Sequence, residues 1–116
     1  MRFRYPVTLP EDVAQALGIE MSNFVTFEEF VKCLIDPQCC PTRLMKYMPR
    51  EKAEAAFGTA QRTERFCQDT LCSYYFNEGW MEFILKFDEK ERLRRLYLLH
   101  KQIKEDKGVE ISLTIL

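Results

Sequence analysis

The chain has 116 residues, 47% hydrophobic and 30% charged, a balance that fits one folded domain spanning 1–116 and argues against a disordered polymer. Seventeen basic residues against eighteen acidic ones give a net charge of −1, with 7 basic and 8 acidic side chains before Gly58 and ten of each after it. Such even charge excludes wholesale electrostatic capture by nucleic acid or an anionic membrane, and no apolar run reaches the roughly eighteen residues a membrane span needs.

The opening residues Met1 to Pro6 are basic but lack the apolar stretch of a secretory signal. Five cysteines, Cys33, Cys39, Cys40, Cys67 and Cys72, are an odd number. Without a signal, the expectation is reduced thiols and a cytoplasmic location. Phe3, Tyr5 and Val7 alternate with polar residues around Pro6, the pattern of an extended arm or edge strand.

Pro10, followed by Glu11 and Asp12, predicts a first helix, because proline suits the first turn and carboxylates suit its positive end. Val13, Ala14 and Leu17 share one face, and Gly18 is the stop. Thr26 and Glu29 have capping-box spacing ahead of Phe27, Phe30, Val31 and Leu34, a second helix ending at Pro37. Pro49 opens a third helix with a narrow stripe of Ala53, Ala56, Phe57 and Ala60.

From Arg65 the composition shifts to aromatic and branched residues. Phe66 to Phe76 reads as one strand, and Asn77-Glu78-Gly79 as a turn. Met81, Phe83, Leu85 and Phe87 alternate with Glu82, Ile84 and Lys86, a half-buried strand. Residues 88–92 then form a hairpin loop into a strand over Leu93 to Ile103, with a final strand from Val109 to Leu113. The alternative is a long helix over 89–107, since Asp88 and Glu91 also fit a capping box and Leu93, Leu96, Tyr97, His100 and Ile103 share a helical face. Short connections favour the strands. The predicted fold class is α+β, with N-terminal helices packed on a C-terminal antiparallel meander.

Motifs of chemistry are scarce. Cys67 and Cys72 are spaced at the edge of the zinc-ligand range and, on one strand, would face opposite ways. Adjacent Cys39 and Cys40 make a poor bite for one tetrahedral ion. No metal or other cofactor is therefore expected. The single histidine, His100, has no thiol placed beside it by sequence and reads as a surface or satisfied residue. The four glycines are scattered, so GxGxxG and P-loop patterns are absent, as are GxSxG and HExxH. Residues 13–19 have a superficial helix-turn-helix look, but the following helix would offer Glu28 and Glu29 to phosphates, the wrong charge for a reader. The cluster Arg92, Arg94 and Arg95 reads as charge protecting a strand edge, or as part of a binding surface.

Aromatics supply the one positive lead. Tyr74, Tyr75, Phe76, Trp80, Phe83 and Phe87 fall within fourteen residues, too dense for a single sheet face. Trp80 shares parity with Glu82, Ile84 and Lys86, opposite Met81 and Phe83. The reading is a non-enzymatic protein–protein interaction or regulatory module, binding a protein partner or itself through Tyr75, Trp80, Ile84, Arg92, Arg94 and Arg95. The alternative is a small-ligand-binding protein or enzyme whose pocket, between helices and sheet, takes inward polar groups from Tyr74, Glu82 or His100.

Overall fold

The computed structural model describes residues 8–19, 27–36, 41–58, 60–76, 79–100 and 108–115. The N-terminal arm, the Thr26 cap, Cys39, Cys40 and the residues after His100 up to Lys107 lie outside the described residues. Three helices, α1 (Pro10–Leu17), α2 (Phe27–Ile35) and α3 (Arg50–Ala56), pack on one face of an antiparallel sheet. That sheet runs β2 (Arg62–Arg65), β3 (Asp69–Phe76), β4 (Gly79–Phe87), β5 (Leu93–His100) and β6 (Val109–Ile111), in that order. A parallel pair, β1 (Met45–Lys46) with β7 (Thr114–Ile115), completes the described elements. The fold class is α+β, as the residue pattern predicts.

Local signals act as expected at the first helix. Proline stands at its start, Glu11 and Asp12 occupy its first turn, and Val13, Ala14 and Leu17 are buried. Gly18 adopts φ 74°, a left-handed conformation open to glycine at little cost, and its N–H returns to Gln15 O. A Cβ at this position would also collide with Thr42 and Arg43, whose backbone runs back along the helix end. In α2 the stripe Phe30, Val31 and Leu34 is buried. The third helix is shorter than its alanine stripe: Pro49 is the N-cap and Phe57 the C-cap, so Ala60 lies beyond it.

Some expected strand bounds change, and the alternative helix drops out. The strand expected over 66–76 starts later, at Asp69. β2 ends at Arg65, and the chain turns through Phe66 to Gln68, with Phe66 N–H donating to Asp69 O at 2.7 Å. The polar run Arg62-Thr63-Glu64-Arg65 hides this strand from any hydropathy pattern because it is a solvated edge. Residues 93–100 form a strand and not the alternative helix. Tertiary pairing with β4 and β6 on both sides overrides their helical propensity. β5 is therefore interior, so its arginines do not protect a strand edge. The last strand is also shorter than predicted, ending at Ile111, and β7 pairs with β1.

The core lies between helices and sheet. Cys72, Tyr74, Phe76, Met81, Phe83, Leu85, Phe87, Leu93, Leu96 and Leu98 point inward from the strands. They meet Val13, Leu17, Phe30, Leu34, Ala53 and Phe57. Phe57 lies tilted against Phe83, 5.1 Å between ring centres, and Phe30 meets Phe76 edge-on at 6.3 Å. Each fully buried side chain of this size contributes roughly 1.5–3 kcal/mol, so this one layer dominates stability.

A polar assembly joins the third helix to both turns at one end of the sheet. Arg50 is only 4% exposed. Its Nε donates to Glu54 at 3.1 Å, and Nη1 donates to Cys67 O at 2.9 Å and Glu91 at 2.8 Å. Nη2 donates to Phe66 O, Asp69 O and Thr70 Oγ1. Thr70 in turn donates to Glu54 at 2.6 Å. The guanidinium also lies 4.6 Å from the centre of the Phe87 ring. Desolvation works against its charge, but the hydrogen bonds and proximity of Glu91 and Glu54 outweigh this and raise its pKa.

Replacing Arg50 by Met should cost about 2–4 kcal/mol, because it leaves part-buried carbonyls and the Glu54 carboxylate without their donor. Arg50→Lys should recover only part of that loss, since an ammonium cannot span the same acceptors. Chemical denaturation of both variants checks this, and a Met variant within about 1 kcal/mol of wild type would contradict the assignment.

Candidate functional site

Strand register divides the sheet into an inner face, under the helices, and an outer face. Eleven positions of β3, β4 and β5 point outward: Asp69, Leu71, Ser73 and Tyr75, then Trp80, Glu82, Ile84 and Lys86, then Arg95, Tyr97 and Leu99. Six of these eleven are aliphatic or aromatic. A one-sided antiparallel sheet ordinarily alternates apolar inside with polar outside. Here the outer face keeps a continuous apolar row through its middle, Leu71 beside Ile84 beside Tyr97. Tyr75 pairs with Trp80 at one end of the face, and Trp80 is 41% exposed. None of the described helices contributes to this face, since their buried apolar residues join the inner cluster.

Charge flanks the apolar row asymmetrically. On one side Asp69, Lys86 and Arg95 lie abreast, with Lys86 Nζ 3.1 Å from Asp69 Oδ2. On the other, Arg62, Ser73, Glu82 and Leu99 lie abreast, with Ser73 donating to Glu82 at 3.1 Å. Arg95 donates to the Tyr97 hydroxyl at 3.3 Å. One side of the row is thus net basic along β4 and β5, and the other carries the carboxylate of Glu82.

The structure therefore brings together four of the six residues singled out by sequence, Tyr75, Trp80, Ile84 and Arg95, and separates the other two. The register shift at Lys86/Phe87 accommodates an extra residue in β5, so that Leu93 and Leu96 both face inward. Arg94 is the extra residue of this bulge and stands outside the register with β4. Arg92 and Arg94 both reach Asp88 Oδ2, at 3.0 and 3.4 Å, and flank the Tyr47 ring at 5.6 and 4.9 Å from its centre. Tyr47 holds φ 75°, a costly conformation for a residue with a Cβ, with its N–H bound to Leu93 O at 2.6 Å. Sequence reasoning missed Leu71, Tyr97 and Leu99 as members of the outer face. Parity with Tyr75 assigns Leu71, but Tyr97 and Leu99 need the register across β4 and the bulge.

The residues proposed for an inward pocket do not converge. Tyr74 and His100 are buried on the inner face, on either side of Met81, whereas Glu82 lies on the opposite face. His100 is buried, so its reading as a surface residue does not hold. Two of the concavities among the described residues lie beside α3 instead. One of about 400 Å³ lies between α1 and α3, touched by Asp12, Arg43 and Gln61. The other, about 460 Å³, lies beside α3 near Tyr47, Arg65 and Arg92. Cys67 is exposed in the β2–β3 turn and Cys72 buried in the core, where burial pushes its thiol pKa up to about 12. Among the described residues, no three His, Cys, Asp or Glu side chains gather as a metal site requires, and no helix is long and apolar enough to cross a membrane.

Comparison with known proteins finds no match: no family model, no curated protein and no solved structure aligns with the chain.

The β4–β5 turn organises the arginine side of the site. Asp88 accepts from the N–H groups of Lys90 and Arg92 and from the Arg92 guanidinium. Desolvation tends to raise its pKa, but the hydrogen bonds from Arg92 and Lys90 prevail and hold the carboxyl below its usual value. A depressed folded-state pKa means the stabilisation is present above the unfolded value near 3.9 and is lost as pH falls through the folded value. Asp88→Asn should therefore be less stable than wild type at neutral pH, and the gap should close in acid. Urea unfolding of both proteins from neutral pH into the acid range checks this, and a pH-independent gap would contradict it.

Proposed function

We propose that this chain is a non-enzymatic protein-interaction module whose binding surface is the outer face of the sheet. The single observation that carries the reading is the apolar row Leu71–Ile84–Tyr97, extended by Tyr75 and by the 41% exposed Trp80, on a face without a described helix. Aromatic side chains at such positions offer large contact areas at low entropic cost, and tryptophan, tyrosine and arginine are the usual anchors of interfaces. Arg95, Lys86, Asp69 and Glu82 supply a charged border, which steers and orients a partner more than it adds affinity. Arg92 and Arg94 engage Asp88 and the Tyr47 ring beside this surface.

Trp80→benzoylphenylalanine places a photoreactive group on the face. Irradiation in the cells that make the protein should give a covalent protein adduct. Ile84→Lys should suppress the adduct and leave the unfolding midpoint nearly unchanged, because the lysine stem can lie along the sheet while its ammonium reaches water. Absence of any adduct, or an adduct indifferent to Ile84→Lys, would sink the reading, as would a Trp80→Ala variant that fails to fold.

A further inference from the structure

A further cleft, of about 230 Å³, is lined by Lys46, Arg94, Glu110, Ser112 and Leu113. We propose that it binds a phosphate group, as the free ion or carried on a small molecule. The proposal does not depend on the outer face being a binding surface.

Topology builds the cleft from three strands and a link. β1 carries Lys46 and pairs with β7, whereas β5 carries Arg94 and pairs with β6. Ser112 and Leu113 join β6 to β7, so they close the space between the two cations. Two backbone irregularities then aim those cations. Arg94 is the extra residue of the β5 bulge, and bulges re-aim the side chains they carry. Tyr47, next to Lys46, holds φ 75°, and backbone strain of this kind clusters where ligands are gripped. Its ring steadies both cations, with Lys46 Nζ 5.6 Å and Arg94 Cζ 4.9 Å from its centre.

Charge decides the sign of the ligand. Among the described residues Lys46 forms no ion pair. Arg94 reaches Asp88 only at 3.4 Å, and Asp88 is shared with Arg92 at 3.0 Å. Glu110 also lines the cleft, and its charge is opposed by Arg95 on the neighbouring strand. Lys46, Arg92, Arg94 and Arg95 thus stand against Asp88 and Glu110, which leaves a surplus of two positive charges. A phosphate monoester brings a charge of about −1.5 to −2 at neutral pH and three acceptor oxygens. An ammonium, a guanidinium and the Ser112 hydroxyl are suitable donors for those oxygens. Size limits what the phosphate carries. Pockets for drug-sized ligands run from about 300 to 1,000 Å³. The smaller volume here admits phosphate with a substituent of a few atoms, bordered by Leu113.

Amide chemical shifts of the 15N-labelled protein provide the test. They are followed at constant ionic strength during titration with inorganic phosphate and, separately, with methyl phosphate. The shifts should saturate with a Kd of about 1 mM, the strength that two half-exposed charge-assisted contacts support. They should centre on Lys46, Arg94, Glu110 and Ser112. Lys46→Gln and Arg94→Gln should each weaken binding about five-fold. Glu110→Gln should tighten it about three-fold, because a like charge leaves the cleft. Arg62→Gln, on the strand at the opposite edge of the sheet, should bind as wild type does. The same spectra show that each variant is folded. Methyl phosphate bound at least as tightly as phosphate supports the site with a phosphorylated small molecule as its source. Tighter binding of phosphate supports it with the free ion. Shifts that do not saturate below about 20 mM, that spread over lysines and arginines generally, or that survive both glutamine substitutions would each overturn the proposal.

Discussion

Arg50 is the constraint on which one end of the molecule depends. A guanidinium has five N–H donors in a fixed plane. Here they serve two carboxylates, one hydroxyl and three backbone carbonyls. These acceptors come from α3, the β2–β3 turn, the start of β3 and the β4–β5 turn. The turn carbonyls of Phe66 and Cys67 both accept from this side chain, which fixes the turn against α3. The charge is balanced by Glu54 and Glu91, with Arg65 also 3.3 Å from Glu54. Buried ionic clusters of this kind stabilise less than their close contacts imply, because desolvation opposes them. Their effect here is positional: they set where the third helix begins relative to both turns.

From that end the sheet inherits its division of labour. The three-residue loop at 89–91 closes with Glu91 at φ 59°, whose carboxylate binds Arg50 while Asp88 gathers Arg92 and Arg94. The bulge that follows restores inward packing for Leu93 and Leu96 and makes Arg94 the extra residue beside Arg95. Tyr47 answers on the neighbouring segment, its unfavourable backbone held by hydrogen bonding to Leu93 and its ring flanked by Lys46, Arg92 and Arg94. Three arginines close in sequence thus serve two purposes, a local clamp and the border of the outer face.

The sheet itself is one-sided. Helices cover its inner face with a dense core, and the outer face bears apolar side chains at more than half of its central positions. Sheets bury apolar faces against another layer, which is why domains are built from packed layers. An antiparallel sheet can leave one face in water when that face is polar. An outer face of mixed character sits between these cases, suited to a reversible contact. Function is read from this surface and not from fold kinship, since a fold by itself assigns none.

Residue pattern alone was enough for the class, the first helix and its glycine stop, the buried stripe of α2, and the parity that sends Trp80 and Ile84 opposite Phe83. Each of these follows from a local rule, either a helical period, a strand alternation or a left-handed glycine. Long-range packing settled the remainder. β2 is an edge of arginine, threonine and glutamate, invisible to hydropathy because solvent covers it. The stretch from Leu93 to His100 fits a helix or a strand, and pairing with two neighbours chose the strand. The inclusion of Tyr97 and Leu99 in the outer face depends on register across a bulge, and the dispersal of Arg92, Arg94 and Arg95 depends on where that bulge falls. Arg50, an ordinary helix-start residue in the sequence, became the organising cation because one distant turn delivers its carbonyls to it and another a carboxylate. Such convergence joins residues tens of positions apart, and no local pattern records it.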